Sequence, residues 1–145
     1  MSNEQLSGYT TISVLLLKSD FYRERQIDFK KKIESQVDVL IEVGLATETQ
    51  IVSTVIFKYD ALIEEAVVFS AEISFSGTFE KIGEPSIPPD KFAELNGPAI
   101  IFPFIREHLA TLSMKSGFNT IFLPPINIVA LANARAQKNL EDKGE

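Results

Sequence analysis

The 145-residue sequence has no cysteine, no tryptophan and a single histidine, His108. Without cysteine there is no disulfide framework and no thiolate metal site, and the expected setting is intracellular and cytoplasmic. One histidine and no thiol exclude Cys/His nucleophilic chemistry and leave any Ser-His-Asp site dependent on His108 alone. Its helical neighbours Arg106 and Glu107 do not face it as partners. No catalytic residue, metal or cofactor is therefore expected, and His108 reads as a packing or boundary residue. An excess of positive charge is lacking as well: 20 acidic against 14 basic residues give a net charge of −6. Such a chain has no overall field to attract phosphate backbones, so nucleic acid is not an expected partner. No apolar run approaches the roughly 18 residues that would cross a bilayer, so direct membrane insertion is not expected. The opening MSNEQLSGYTT has neither a basic nor an apolar signal region.

What is present is enough apolar material, 45% of residues, for one domain with a core. The expected division is a loose terminus over 1–8, a single domain over 9–136 and a loose charged tail over 137–145. In Thr10–Lys18, Ile12, Val14 and Leu16 alternate with Thr11, Ser13 and Leu15, a strand that becomes apolar on both faces. Ser19–Ser35 has no clean period and reads as a long connection containing Phe21, Tyr22, Ile27 and Phe29. Its basic run, Arg23, Arg25 and Lys30-Lys31-Lys32, reads as a solvated face.

Val37, Val39, Ile41 and Val43 alternate with Asp38, Leu40 and Glu42 in a second strand. After a turn at Ala46–Thr49, a third strand carries Ile51, Val55, Phe57 and Tyr59 on one face and ends at Asp60-Ala61. The fourth strand is clearest, with Val67, Phe69, Ala71, Ile73, Phe75 and Phe79 opposed by Ser70, Glu72, Ser74, Ser76 and Thr78. Four strands followed only by helical signals predict an α+β fold: a four-stranded antiparallel meander, then a long helix and a shorter C-terminal helix.

Pro85, Pro88 and Pro89 end the sheet, and a short turn of helix is expected at Asp90–Leu95. The long helix should start between Pro98 and Phe102, since proline is tolerated only in a first turn. Ile101, Ile105, His108 or Leu109, and Leu112 form its apolar stripe, and Gly117 stops it. Asn127 is placed to cap a second helix bearing Ile128, Leu131 and Arg135.

Eleven phenylalanines and three tyrosines serve this small fold, and Phe21, Tyr22, Phe29, Phe118 and Phe122 fall in irregular segments. Either they form a satellite core under the loops or they mark an interaction surface. Apolarity on two faces of the first strand and the long helix tips the balance toward an oligomer.

From Gly97 to Asn127 the sequence resembles the SecB family of protein-export chaperones. The residues that carry the likeness are Pro98, Phe102-Pro103-Phe104, Arg106-Glu107, Leu109, Gly117, Phe118 and Leu123-Pro124-Pro125-Ile126-Asn127, with Gly77-Thr78-Phe79 upstream. The resemblance implies an ATP-independent holdase for unfolded polypeptides, assembled as a homotetramer, a dimer of dimers with first strands paired across subunits. By the same resemblance, clients meet Phe21, Tyr22, Phe29, Leu40, Phe118, Phe122, Ile126 and Ile128. The export ATPase SecA meets Asp20, Glu24, Ser70 and Glu72, with Ser70 standing where the family has leucine. The subunit interfaces are expected to use Ile12, Val14, Ile101, Ile105, Leu109 and Leu112. The loop after Gly117 is shorter than the family's, and Phe118-Asn119 replaces a Phe-Pro. Val129 replaces an acid, while Ala132 and Arg135 fill aromatic positions. A divergent branch holds the antitoxin of a toxin–antitoxin pair, so a chaperone dedicated to an antitoxin or other single partner is the alternative.

Overall fold

The computed structural model describes residues 8–119, 121, 123 and 127–143. Four strands, β1 (Tyr9–Arg23), β2 (Glu34–Leu45), β3 (Gln50–Ile63) and β4 (Ala66–Lys81), form one antiparallel sheet. The α+β class is as expected, but the strand order is β1-β4-β3-β2, not a simple meander. β2, β3 and β4 follow one another through hairpins, whereas β1 lies beside β4, a Greek-key arrangement. Alternation identifies strands without naming their neighbours. The connection 24–33 runs across the end of the sheet past the β3–β4 turn, where the Glu24 N–H donates to the Val68 carbonyl at 2.8 Å and Lys31 meets Glu64 at 3.3 Å.

β1 is longer than its period suggests. Register shifts at Ile12 and Leu17 reset the alternation, and pairing continues to Arg23 opposite Phe69. The stretch Ser19–Arg23, expected in a connection, is therefore strand. β3 likewise runs through Asp60-Ala61 to Ile63: Ala61 is fully buried, and Asp60 accepts a 2.6 Å hydrogen bond from Ser70 across the ladder. A third irregularity, between Ala61 and Leu62, turns Val68 into the core and leaves Val67 exposed, reversing the face expected for Val67. The β3–β4 turn is two glutamates, Glu64 (φ 52°) and Glu65 (φ 70°), both in the left-handed region that such tight hairpins require.

The helical run also begins earlier than expected. A single turn at Pro89–Lys91 widens into a π turn at Phe92–Asn96 and continues as α1, Gly97–Lys115. The widening explains how Pro98 is accommodated inside a helix. The Gly97 N–H reaches back to the Phe92 carbonyl, one residue farther than in an α-helix. Continued one step, that pattern would have residue 98 donate to Ala93, but proline has no N–H. The fully buried Ser53 hydroxyl of β3 supplies the missing donor, at 2.7 Å from the Ala93 carbonyl. Gly97 permits the approach, since a Cβ there would lie 2.2 Å from Ser53 Oγ.

Ile101, Ile105 and Leu109 are fully buried against the sheet with Val55, Phe57, Ile73 and Phe79. Tyr9 stacks on Phe92 at 4.1 Å and closes one end of the core. α1 ends in a Schellman motif: Gly117 at φ 71° donates to Met114 and Phe118 donates to Ser113. The second helix, α2 (Ile128–Lys143), is capped by Asn127 Oδ1, which accepts from the Ala130 N–H at 3.0 Å. The stretch from Gln137 to Lys143, expected to be loose, is helical. α2 packs along β2, with Ala132 turned to the core and Arg135 reaching Asp38 on the sheet's other face at 3.1 Å. Most of β2 nevertheless remains exposed, and the outer edge of β1 has no neighbouring strand among the described residues.

Candidate functional site: an aromatic corner beside an open strand edge

Where the end of β1, the start of β4 and the α1 terminus meet, rings gather. Phe69 packs on Phe118 at 5.0 Å, Phe21 lies edge-on to Phe69 at 5.4 Å, and Phe29 lies edge-on to Phe118 at 5.7 Å. Tyr59 adds a fifth ring against Phe69, its hydroxyl 2.8 Å from Ser35 Oγ. The Schellman turn places Phe118, which is 7% exposed, under the corner, whereas Phe21 and Phe29 remain 39% and 44% exposed. Covering what remains of two such rings is worth roughly 1 kcal/mol each. Useful affinity must therefore come from several such contacts linked along one polypeptide.

Of the residues expected to meet clients, the structure brings Phe21, Phe29 and Phe118 together. Tyr22 pairs with Ser70 and Leu40 with Ile56, both on the sheet face away from α1. Ile128 is buried at the start of α2, beside a cleft lined by Leu95, Phe102 and Arg106. Phe122 and Ile126 lie outside the described residues. Phe69 and Tyr59, which complete the corner, were missed because both sit at inward strand positions that read as ordinary core.

The interface candidates divide in the same way. Ile101, Ile105 and Leu109 are spent inside their own chain and Leu112 and Val14 pack against its core, leaving only Ile12 of the six strongly exposed. Exposed apolar side chains occur on β1 at Leu15, Leu16 and Leu17, on α1 at Phe104 and Met114, and also at Leu45 of β2 and Leu140 of α2. The three β1 leucines lie on the strand whose outer edge has no neighbouring strand among the described residues, Phe104 packs near Phe75 of β4, and Met114 lines a separate cleft with Pro103, Arg106 and Ala110. His108 is a packing residue here, with Nε2 2.8 Å from Ser19 Oγ of β1 and its ring edge-on to Phe75.

The outward face of the sheet carries a ladder of paired charges. Asp20 stands opposite Glu72, and Glu72 stands opposite Lys58. Lys18 reaches Glu72 at 2.5 Å, and that hydrogen bond holds the Glu72 carboxyl below its ordinary 4.5 and raises Lys18 above 10.5. Asp60 accepts from Ser70, Asp38 is engaged by Arg135, and Glu24 accepts from the Tyr22 hydroxyl at 3.5 Å. The acids expected to meet SecA are thus on one face, and Glu72 among them is already partnered.

The described residues thus form a four-stranded Greek-key sheet backed by a proline-bracketed helix, with a first strand paired on one side only and an exposed aromatic corner beside it. The SecB profile, described as preprotein translocase subunit SecB, matches residues 22–139, and the chain belongs to this family. A protein-export protein SecB of Granulibacter bethesdensis is 38% identical over 117 residues, covering 79% of this chain and 64% of the relative. One of Nitrobacter winogradskyi is 30% identical over 97 residues, covering 66% and 61%. The matched stretches thus span under two thirds of these relatives' length. Among solved structures, a Mycobacterium tuberculosis SecB-like chaperone in complex with a peptide from an antitoxin superposes with a TM-score of 0.70 at 14% identity, covering 85% of this chain and 98% of that one, a likeness of fold.

Proposed function

We propose that this chain is an ATP-independent holdase that binds unfolded or non-native polypeptides, keeps them from aggregating and passes them to export through a SecA-type ATPase. The observation that supports this is the aromatic corner, whose exposed rings Phe21 and Phe29 rest on a buried base of Phe69 and Phe118. Apolar surface of this kind gives affinity with little demand on sequence, which suits a binder of many unfolded chains. The open β1 edge and its exposed leucines support assembly through paired first strands, as a dimer within a homotetramer. No helix of the described residues is long and apolar enough to cross a membrane.

The test is aggregation of a denatured client followed by light scattering without nucleotide. Wild type should suppress scattering near one tetramer per client, and Phe21→Ser/Phe29→Ser should lose most of that activity with its circular dichroism unchanged. Full suppression by the double variant would refute the placement of the client site. A second reading, a chaperone dedicated to an antitoxin or other single partner, is favoured by the Lys18–Glu72 pair, which occupies an acid that the export contact would use. Glu72→Lys separates the two: weakened SecA binding with client holding intact supports export, and no effect on any SecA interaction supports the dedicated role.

A further inference from the structure

The β3–β4 turn is strained, and it faces the connection that carries Phe29. Glu64 (φ 52°) and Glu65 (φ 70°) both occupy the left-handed region, where asparagine and glycine are at ease and glutamate is not. Strain of this kind persists where the surrounding structure gains something by it. Here the gain is a contact: the Glu64 carboxylate reaches Lys31 Nζ at 3.3 Å. Lys31 closes a four-residue turn, Asp28–Lys31, by donating its N–H to the Asp28 carbonyl at 3.2 Å, and Asp28 Oδ1 accepts from the Lys30 N–H at 3.0 Å. Phe29 rides on this turn, its ring edge-on to Phe118 at 5.7 Å, between Ile27 and Ile33, which pack against the core. The start of the connection is fixed through its backbone, by Arg23 Nη1 donating to the Glu24 and Arg25 carbonyls at 2.5 and 2.9 Å and by the Glu24 N–H on the Val68 carbonyl. The turn that bears Phe29 is held differently: among the described residues, Lys31–Glu64 is its one ion pair to another element. The two side chains are 48% and 74% exposed, so the pair adds little to folding stability and does not by itself account for a strained turn. What it does fix is the place of the Phe29 ring.

We infer that Glu64 and Lys31 are positioning residues of the client site: together they clasp the Asp28–Lys31 turn to the β3–β4 hairpin and seat Phe29 on Phe118 before a client arrives. This rests on the holdase reading and adds to it the groups that order one of its rings. A ring already ordered loses less freedom when a client covers it, so the clasp contributes to affinity without touching the client. The strained turn is then kept for binding and not for folding, and stability and client affinity should respond to it with opposite signs.

The experiment follows, by fluorescence anisotropy, a labelled peptide of aromatic and aliphatic residues spaced by serine and glycine. It has no charged side chain, so altered charges at the corner do not act on it directly. Lys31→Glu sets two carboxylates face to face and should weaken binding by about two- to fivefold, the range open to an exposed ion pair, with circular dichroism unchanged. Lys31→Glu/Glu64→Lys restores opposite charges and should return most of the lost affinity. In a Phe29→Ser background, where no ring is left to position, Lys31→Glu should have no further effect. Glu64→Asn/Glu65→Gly relieves the turn and removes the clasp, so it should raise the denaturation midpoint and yet weaken the peptide as Lys31→Glu does, a pairing that a purely structural role would not produce. Binding by Lys31→Glu as tight as wild type, a charge swap that restores nothing, or a loss that persists undiminished in Phe29→Ser would overturn the inference. So would a turn variant that is more stable and binds the peptide as tightly as wild type. If wild type binds the peptide and the variants match it, only this inference fails; if wild type binds no peptide and holds no denatured client, the holdase reading falls with it.

Discussion

Replacing Ser53 by alanine isolates how a helix with a proline in its second position is joined to the sheet. Ser53 is fully buried, and its hydroxyl is the donor to an Ala93 carbonyl that Pro98 cannot serve. Ser53→Ala removes one oxygen and leaves that carbonyl buried and unpaired, at a cost of about 1–3 kcal/mol. For a domain of this size that corresponds to a melting temperature lower by roughly 3–10 °C. The assay is chemical denaturation at one fixed protein concentration, because assembly would otherwise contribute to stability. The cost belongs to the orphaned carbonyl and not to a packing void only if returning a backbone donor removes it. Pro98→Ala restores an N–H at residue 98, so in that background Ser53→Ala should cost at least about 1 kcal/mol less than in wild type, beyond ordinary additivity error. Costs that simply add would refute the reasoning and leave the π turn at Phe92–Asn96 without its explanation.

Three further outcomes follow from features of the same fold. Glu64→Asn/Glu65→Gly places residues that tolerate positive φ in the β3–β4 turn and should raise stability by about 1 kcal/mol, because the exposed Lys31–Glu64 pair it removes is worth little; no rise in the denaturation midpoint would contradict a strained turn. Glu72, titrated by NMR, should have its midpoint below 4.5, so its stabilising contribution is present above that value and lost as pH falls through the lowered one. Lys18→Gln should move the midpoint upward, and an unmoved midpoint would show that Lys18 is not the cause. Gly117→Ala forces a side chain into φ 71° and should cost about 1 kcal/mol while loosening Phe118; client affinity that stays constant as stability falls would separate the Schellman turn from the aromatic corner.

Local chemistry made much of this legible in advance. The alternation of β4, the Ala46–Thr49 turn, the Asn127 cap and the buried stripe Ile101, Ile105 and Leu109 all depend on neighbours within a few residues. What was not legible depends on distant parts of the chain. The pairing of β1 with β4 is a choice of neighbour that periodicity does not encode. Bulges at Ile12, Leu17 and Val68 shift the parity of alternation, which hid the last third of β1 and misplaced Val67. The early start of the helical run needed Ser53, some forty residues earlier, to take over a missing hydrogen bond. At the aromatic corner, irregular-segment rings such as Phe21, Phe29 and Phe118 stood out against their polar surroundings. Phe69 and Tyr59 did not, since an inward strand residue looks the same whether its far side meets core or client.

The two edges of the sheet set how far assembly can go. α2 lies along β2, and among the described residues no strand lies beside the outer edge of β1. If β1 meets β1 of a second copy, the antiparallel pair is related by a two-fold axis and both free edges are consumed in a single event. Growth by strand addition along β1 stops there. Closure of this kind keeps the first strand from serving as a template on which further chains add.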